Sequence, residues 1–240
     1  MTVSVSGSEI GENIETTTWS NEATRLMNRM YRRQRHIYDA TRRYYLLGRD
    51  QLIAGLRPAA DATVLEIGSG TGRNLIQAAR HYPDAKFFGI DVSTEMLTSA
   101  IAAITRHGLK GQIRVAHGDA TAFDPQTIFG RPSFDRVMIS YSLSMIPDWQ
   151  AVLQRAASSL KAGGSLHIVD FGDQRGLPRS VGSLLRRWLA MFDVTPRDDL
   201  EDALSRLADA QGAGLNFERP FRGYAQVAVL RFPPARPKSP

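Results

Sequence analysis

Three glycines and an acid stand together in "VLEIGSGTGRN", which spans residues 64–74. An apolar run precedes the glycines, and glycine lets a backbone turn tightly into a helix whose first N–H groups are free for a ligand. The dinucleotide pattern G-x-G-x-x-G fails because Arg73 stands in the third glycine's place, and the lysine of a P-loop is absent. Glu66 would repel a pyrophosphate and suits a ligand with an ammonium group, such as S-adenosylmethionine.

Two further acids end the next two apolar runs. Asp91 closes "KFFGID" and Asp119 closes "QIRVAHGD". If both runs are parallel strands, their carboxyl ends meet Glu66 at one crevice of the sheet. There Asp91 could accept both hydroxyls of a ribose, and Asp119 could hold the amino group of adenine. A carboxylate such as Asp119 could instead cap its own loop.

Short apolar runs alternate with helical patterns along most of the chain. We predict strands at 62–68, 86–91, 112–119, 134–140 and 165–172, with helices at 73–81, 94–107 and 148–161 between them. A further helix is predicted to start with Thr195 as N-cap and Pro196 as its first residue. Residues 215–221 and 224–232 then form a closing hairpin. The pattern predicts an α/β, Rossmann-like, doubly wound sheet of seven strands, mostly parallel with an antiparallel C-terminal hairpin strand.

The predicted domain organisation has four parts. Residues 1–18 form a disordered polar tail, and residues 19–57 form an N-terminal amphipathic helical cap, with helix over 20–54. The α/β domain covers 58–232 and contains a helical insertion at 174–193. The proline-rich residues 233–240 form a second disordered tail.

Composition narrows the range of functions. The 240 residues include no cysteine, which excludes disulfides and thiol catalysis. The net charge is +6, and eight arginines against one acid fall between Arg25 and Arg49. Such a local excess favours nucleic acid, anionic lipid or an acidic small molecule as partner. No nucleic-acid-binding module is recognisable, so no nucleic acid is expected. No signal peptide or membrane span is recognisable, so a cytoplasmic protein is expected.

The run from Val64 to Gly172 resembles the class I S-adenosylmethionine-dependent methyltransferases. The resemblance implies that the domain uses S-adenosylmethionine, yields S-adenosylhomocysteine and needs no metal. The residues that we expect to bind the cofactor are Glu66, Gly68, Ser69, Gly70, Gly72, Asn74, Asp91, Val92, Met96, Asp119, Ala120, Ser140 and Arg49. Arg49 could hold a carboxylate of either the cofactor or the acceptor.

The methyl acceptor is suggested by a narrower resemblance. The segments "YRRQRHIYDATRRYYLLGRD", "VLEIGSGTGRNLI" and "RGYAQVAVL" resemble the bacterial betaine-lipid N-methyltransferases. That family is thought to methylate the amino group of diacylglyceryl-homoserine three times, which gives diacylglyceryl-trimethylhomoserine. A related bacterial family methylates phosphatidylethanolamine and shares much of the pattern. A small-molecule methyltransferase is a further alternative, and so is a cofactor-binding module that serves a partner such as an aminocarboxypropyl transferase.

The chemistry of amine methylation suggests which residues face the acceptor. The amine must lose its proton before attack, and a trimethylammonium product favours aromatic faces. We expect Tyr38, Tyr45 and Tyr141 to line the reacting centre. His36, Arg42, Asp170 and Phe171 are expected on the acceptor side. His36 and His167 could relay a proton or could be purely structural.

Two basic amphipathic segments suggest contact with a membrane. The first is the N-terminal helix; the second is the insertion at 174–193, where one helical face carries Leu184, Leu185, Trp188, Leu189 and Phe192, flanked by Arg175, Arg179, Arg186 and Arg187. Such helices lie in an anionic interface. We therefore expect a peripheral protein on the inner face of the membrane, with a lipid acceptor. In the alternative interpretation both segments pack on the domain and show arginine to water.

Overall fold

The computed structural model describes residues 46–235. The predictions for the tail at 1–18, for the cap up to residue 45 and for residues 236–240 lie outside this range.

Near the start of the described range, Gly48 has a φ of 86° and directly precedes a helix that starts at Arg49. Pro233, at the start of the predicted C-terminal tail, accepts a hydrogen bond from Gly163 N at 2.8 Å.

A single seven-stranded sheet organises the described residues. Its strands are β1 (Thr63–Ile67), β2 (Lys86–Asp91), β3 (Ile113–His117), β4 (Phe134–Ser140), β5 (Leu160–Phe171), β6 (Gly214–Glu218) and β7 (Ala225–Arg231). Their order is β3-β2-β1-β4-β5-β7-β6. β7 runs antiparallel to both β5 and β6, whereas the other neighbouring strands are parallel. The predicted fold class is therefore confirmed.

Helices cover both faces of the sheet. They are α1 (Arg49–Leu56), α2 (Arg73–His81), α3 (Thr94–Arg106), α4 (Pro125–Phe129), α5 (Trp149–Ser158), α6 (Arg179–Ala190) and α7 (Leu200–Gln211), with a 3₁₀ turn at Leu143–Met145. A short helical turn, Pro220–Gly223, joins β6 to β7.

The alternation of side chains along each strand divides the core into two layers. On β1, Leu65 and Ile67 pack with residues of α4, α5 and α7. Val64 points the other way and packs with α1, α2 and α3. Each fully buried Leu, Ile or Phe side chain contributes about 1.5–3 kcal/mol to stability. Parallel strands are usually buried in this way on both faces, and their carboxyl ends then form one common edge.

Several boundaries differ from the sequence prediction. The helix predicted from Pro196 begins at Leu200, because Thr195 N and the side chain of Arg197 instead donate to carbonyls of residues 143–146. β5 begins at Leu160 rather than 165, and α5 ends at Ser158. Leu160 extends the strand because it pairs with Phe134 ahead of a register shift.

The helix α6 lies within the predicted insertion at 174–193, and its apolar face is only partly covered. Leu189 is buried, and Leu185, Trp188 and Phe192 pack partly against the core layer of α1. Leu184 remains 71% exposed. Within residues 46–235, no helix is both long enough and apolar enough to cross a bilayer.

Candidate cofactor and acceptor site

The glycine loop between β1 and α2 has a backbone that requires glycine. Gly68, Gly70 and Gly72 have φ values of 73°, 52° and 73°. A Cβ on Gly68 would lie 2.6 Å from the Cβ of Ser142, so the loop also needs glycine to approach the residues after β4. Around Gly70 no heavy atom of the described chain lies within 4 Å of such a Cβ, so this turn faces open space.

Asp91 at the end of β2 ties the loop to the sheet. Its Oδ2 accepts from Gly70 N at 2.7 Å, and its Oδ1 accepts from Ser93 N at 2.9 Å. The backbone N–H groups of Gly68 and Ser69 donate to Ile90 O, each at 2.9 Å. A carboxylate offers about four lone-pair sites, so each oxygen of Asp91 keeps capacity for a ribose hydroxyl.

Asn74 lines a first compartment and is held by Glu66, which itself does not line it. Glu66 is fully buried, and its Oε1 accepts from Asn74 Nδ2 at 2.7 Å. The compartment has a volume of about 250 Å³ and is also lined by Arg49, Ser69 and Ser140. Ser69 Oγ, Asn74 Oδ1 and Ser140 Oγ are buried and have no hydrogen-bond partner among residues 46–235. Buried polar atoms normally have partners, so these three indicate a polar ligand such as an amino-acid group.

A second compartment adjoins the first and shares Gly68 and Gly70 with it. Its volume is about 140 Å³, and its lining combines two acids with apolar side chains. The lining residues include Asp91, Val92, Asp119, Ala120, Tyr141, Met145 and Ile146. An apolar slot with carboxylates at its rim suits a nucleoside.

The position of Asp119 is compatible with both predicted roles, capping its own loop and contacting adenine. Its Oδ1 accepts from Thr121 N at 2.8 Å and from Thr121 Oγ1 at 2.7 Å, so it caps its own loop. It also lines the second compartment. Met96, in contrast, is buried at the start of α3 and lines neither compartment.

Tyr141 stands at the junction of β4 and the second compartment. Its φ is 55°, and its side chain is buried. Its Oη donates to Leu47 O at 2.5 Å. Burial and then the charge of Asp170 raise the tyrosine pKa well above its usual range. The hydroxyl therefore stays protonated and positions Leu47, while the ring faces the compartment.

Phe171 and Tyr224 continue the aromatic surface behind Tyr141. The ring of Phe171 meets Tyr141 edge-on with centroids 4.7 Å apart, and Tyr224 lies 6.0 Å beyond Phe171. These rings pack together at the end of β5, where Phe171 is buried, and its place on the acceptor side stays a prediction.

Asp170 is placed behind the wall of the cleft and does not line either compartment. It is fully buried on the sheet face opposite to Tyr141. Its Oδ1 accepts from Phe171 N at 2.7 Å and its Oδ2 from Ser144 N at 3.2 Å. Burial raises the pKa of this carboxyl, and the hydrogen bonds oppose the rise. Its predicted position facing the acceptor is therefore corrected: Asp170 supports the 3₁₀ turn.

Comparison with known proteins agrees with this geometry. A family model described as a methyltransferase domain matches residues 64–164. Over these residues the chain is similar to a methyltransferase domain. Its fold is that of the class I enzymes and its cofactor is S-adenosylmethionine, which the two compartments fit: Ser69, Asn74 and Ser140 offer partners for the amino-acid part, and the apolar slot suits the adenosine.

The relatives differ in the acceptor that their names specify. O-methyltransferase cnsE of Penicillium expansum is 30% identical over 151 residues, 62% of this chain and 52% of that protein. The chain spans about half the length of the curated relatives that it matches.

Solved structures share the fold at low identity. An O-methyltransferase family protein from Burkholderia thailandensis superposes with a TM-score of 0.66 at 21% identity, covering 83% of this chain and 59% of that one. The phosphoethanolamine N-methyltransferase 2 of Haemonchus contortus was solved with phosphomonomethylethanolamine and S-adenosylhomocysteine. It superposes with a TM-score of 0.60 at 19% identity, covering 77% of this chain and 52% of that one.

Of the other predicted site residues, four lie outside the described range and Arg49 lies in the cleft. Tyr38, Tyr45, His36 and Arg42 lie outside the described residues. Arg49 lines the first compartment, and its Nε donates to Leu46 O at 3.2 Å. No group of three or more possible metal ligands occurs in residues 46–235.

His167 does not line the methyltransferase cleft. It is buried in the middle of β5, with Nε2 2.8 Å from Ser165 Oγ. Burial, with the charges of Arg136 and Arg231, lowers its pKa to about 4. A neutral imidazole held away from both compartments favours the structural role over a proton relay.

Four residues that follow Tyr141 line the second compartment but were not predicted from the sequence. Ser142, Met145, Ile146 and Pro147 line the second compartment, and Arg197 supports them from outside. The position of "SLSMIP" directly after a central strand was the available signal, since ligands bind beyond the carboxyl ends of such strands.

We predict that Asp91→Asn weakens binding of S-adenosylhomocysteine at least tenfold. The amide keeps one acceptor, but its NH₂ group would face either the Gly70 or the Ser93 N–H, and a hydrogen bond to a charged group is worth about 1.5–3 kcal/mol. Isothermal titration calorimetry measures the change. Asp209→Asn, an exposed site on α7, is the matched control and should bind as the wild type does. Wild-type affinity in Asp91→Asn would contradict the role of this carboxylate.

His167 should make stability depend on pH. Because its pKa is about 4 in the folded protein against 6.5 ordinarily, the unfolded chain binds more protons between these values. Stability is then lost as pH falls from about 6.5 towards 4, by up to about 3 kcal/mol from this group. Urea unfolding across this range should show a shallower decline for His167→Gln. Parallel curves for the two proteins would sink the prediction.

Proposed function

We propose that the protein is an S-adenosylmethionine-dependent lipid N-methyltransferase that converts diacylglyceryl-homoserine to diacylglyceryl-trimethylhomoserine by three successive N-methylations. The observation that carries the proposal is the exposure of apolar side chains beside the cofactor cleft. Residues 46–235 expose six large hydrophobic side chains, and five of them, Leu47, Val181, Leu184, Met191 and Phe221, belong to segments at the carboxyl edge of the sheet.

The fold brings these five side chains to the same edge. The carbonyl of Leu47 accepts the hydroxyl of Tyr141 at the end of β4. The helix α6, with Val181 and Leu184, follows the end of β5. Phe221 precedes β7, whose first residue pairs with Phe171 at the end of β5. An apolar surface next to the cleft is what an acceptor with acyl chains requires.

Unpaired cations accompany the apolar side chains on α6. Arg179 and Arg187 make no ion pair with any residue between 46 and 235, whereas Arg186 is paired with Asp198 at 2.9 Å. Each arginine near an anionic leaflet contributes roughly 1 kcal/mol. We therefore also propose peripheral binding to the inner, cytoplasmic face of the membrane, where a partner aminocarboxypropyl transferase would supply the acceptor lipid.

The chemistry of the cleft is compatible with amine methylation. The neutral amine attacks the sulfonium methyl in line, the C–S bond breaks, and the first two products lose a proton to solvent before the next cycle. Alignment of the two reactants supplies most of the acceleration. The aromatic surface of Tyr141, Phe171 and Tyr224 favours the accumulating methylammonium charge. Arg49 lines the first compartment, which supports a role in pairing with a carboxylate of the cofactor or of the homoserine head group.

The solved Haemonchus enzyme, whose ligand is a phosphorylated amine, supports N-methylation on this fold and keeps phosphatidylethanolamine as an alternative acceptor. The curated O-methyltransferase relatives favour a different second candidate, a small-molecule methyltransferase. The third candidate, a cofactor-binding module for a partner enzyme, predicts cofactor binding without turnover.

Labelled S-adenosylmethionine separates these functions. We expect the purified full chain to transfer label to diacylglyceryl-homoserine in anionic liposomes, and Asp91→Asn to transfer much less, because it binds the cofactor poorly. Label in phosphatidylethanolamine liposomes alone would support that acceptor instead. Bound cofactor with no label in either lipid would overturn the lipid proposal.

The exposed face of α6 can be tested without turnover. Leu184→Glu should reduce sedimentation with anionic vesicles by roughly tenfold, because a buried leucine side chain contributes about 1.5–3 kcal/mol. Ile101→Glu on α3 is the matched control, since Ile101 is 52% exposed away from this edge. Both variants should keep wild-type affinity for S-adenosylhomocysteine. Equal vesicle binding by the two variants would contradict the role of α6.

A further inference from the structure

The 3₁₀ turn after β4 is held from outside the cleft by one arginine. Arg197 Nε donates to Leu143 O at 3.0 Å, and its Nη2 donates to Ile146 O at 2.8 Å. Leu143 O lies at the start of the turn, where it also accepts from Ile146 N at 3.2 Å, and Ile146 directly follows the turn. The planar guanidinium presents a different nitrogen to each carbonyl in a fixed geometry, whereas a lysine carries its three donors on one nitrogen.

The segment around Arg197 is fixed to the sheet by further hydrogen bonds. Thr195 N donates to Ser144 O at 2.8 Å. Gln226 Nε2 donates both to Arg197 O at 3.0 Å and to Phe171 O at 2.9 Å. Asp170 accepts from Ser144 N on the same side. The turn, the end of β5 and the segment before α7 therefore form one hydrogen-bonded unit.

The same segment is joined to α6. Arg186 of α6 pairs with both carboxylate oxygens of Asp198, the residue next to Arg197, at 2.9 and 3.1 Å. Arg186 Nη2 also donates to Asp173 O, just beyond β5, at 3.0 Å. The cleft wall is thus joined to the helix beside it by the hydrogen bonds of Arg197, by the peptide bond between Arg197 and Asp198, and by the ion pair of Asp198 with Arg186.

We propose that Arg197 is a positioning residue that couples occupation of the cofactor cleft to the arrangement of α6. Met145 and Ile146 line the second compartment, so a bound nucleoside stabilises the turn that Arg197 holds. Coupling between two sites is reciprocal, so an interaction that fixes α6 also stabilises the turn that Arg197 holds. The proposal holds for any methyl acceptor and does not depend on a lipid.

Hydrogen exchange with S-adenosylhomocysteine as the probe tests the coupling in the full chain. In the wild type, the ligand should slow exchange in residues 142–147, in 195–199 and in α6. In Arg197→Gln, we expect about tenfold weaker binding of S-adenosylhomocysteine, because the competent wall is populated less. Protection should then persist in the glycine loop at 68–72 but disappear from 195–199 and α6.

Two controls separate coupling from a loss of structure. Arg206→Gln changes an exposed arginine on α7 and should behave as the wild type does. Arg197→Lys should fall between the wild type and Arg197→Gln, since it retains one of the two hydrogen bonds. In all of them exchange in β1 and β4 should stay unchanged. Wild-type affinity and full transmission in Arg197→Gln would overturn the proposal. If that variant does not fold, a wild-type protein that shows no ligand effect in 179–199 would overturn it.

Discussion

The hydrogen bond between Asp91 and the amide of Gly70 holds the site together. The three glycines of this turn have no side chains to fix its shape, so anchors have to come from elsewhere. The carboxylate at the end of β2 provides one such anchor at 2.7 Å while it lines the cleft. The sheet thereby positions the loop, and the loop positions the free amides at the start of α2.

Three acids at the strand ends have different functions because their surroundings differ. Glu66 is fully buried with its amide partner Asn74, and Asp91 spans two backbone amides. Asp170, equally buried on the opposite face, accepts from its neighbour Phe171 N and from Ser144 N in the turn that supports the cleft. A carboxylate at the end of a strand is therefore informative about ligand binding only when its face of the sheet is known.

The cleft and the surface beside it belong to one edge of the sheet. Aromatic rings of Tyr141, Phe171 and Tyr224 lie between the cofactor compartments and the segments that expose apolar side chains. Arg197 and Asp198 connect the wall of the cleft to α6 by hydrogen bonds. Methyl transfer at the cofactor and contact with a large acceptor would thus both take place at this hydrogen-bonded edge of the sheet.

The sequence by itself determined the order of elements and the cofactor. Glycines at 68, 70 and 72 permit positive φ values locally, and apolar runs that alternate with helical patterns predict a parallel sheet. Both features could therefore be predicted without tertiary information. Which face each residue occupies was decided only by the folded structure. Because of tertiary contacts, α7 begins at Leu200 and Asp170 lies outside the cleft. For the same reason the hydroxyl of Tyr141 donates to Leu47 O, and Arg197 holds the turn in the cleft wall. These outcomes depend on partners that are 26 to 94 residues away along the chain, and no local pattern specifies such partners.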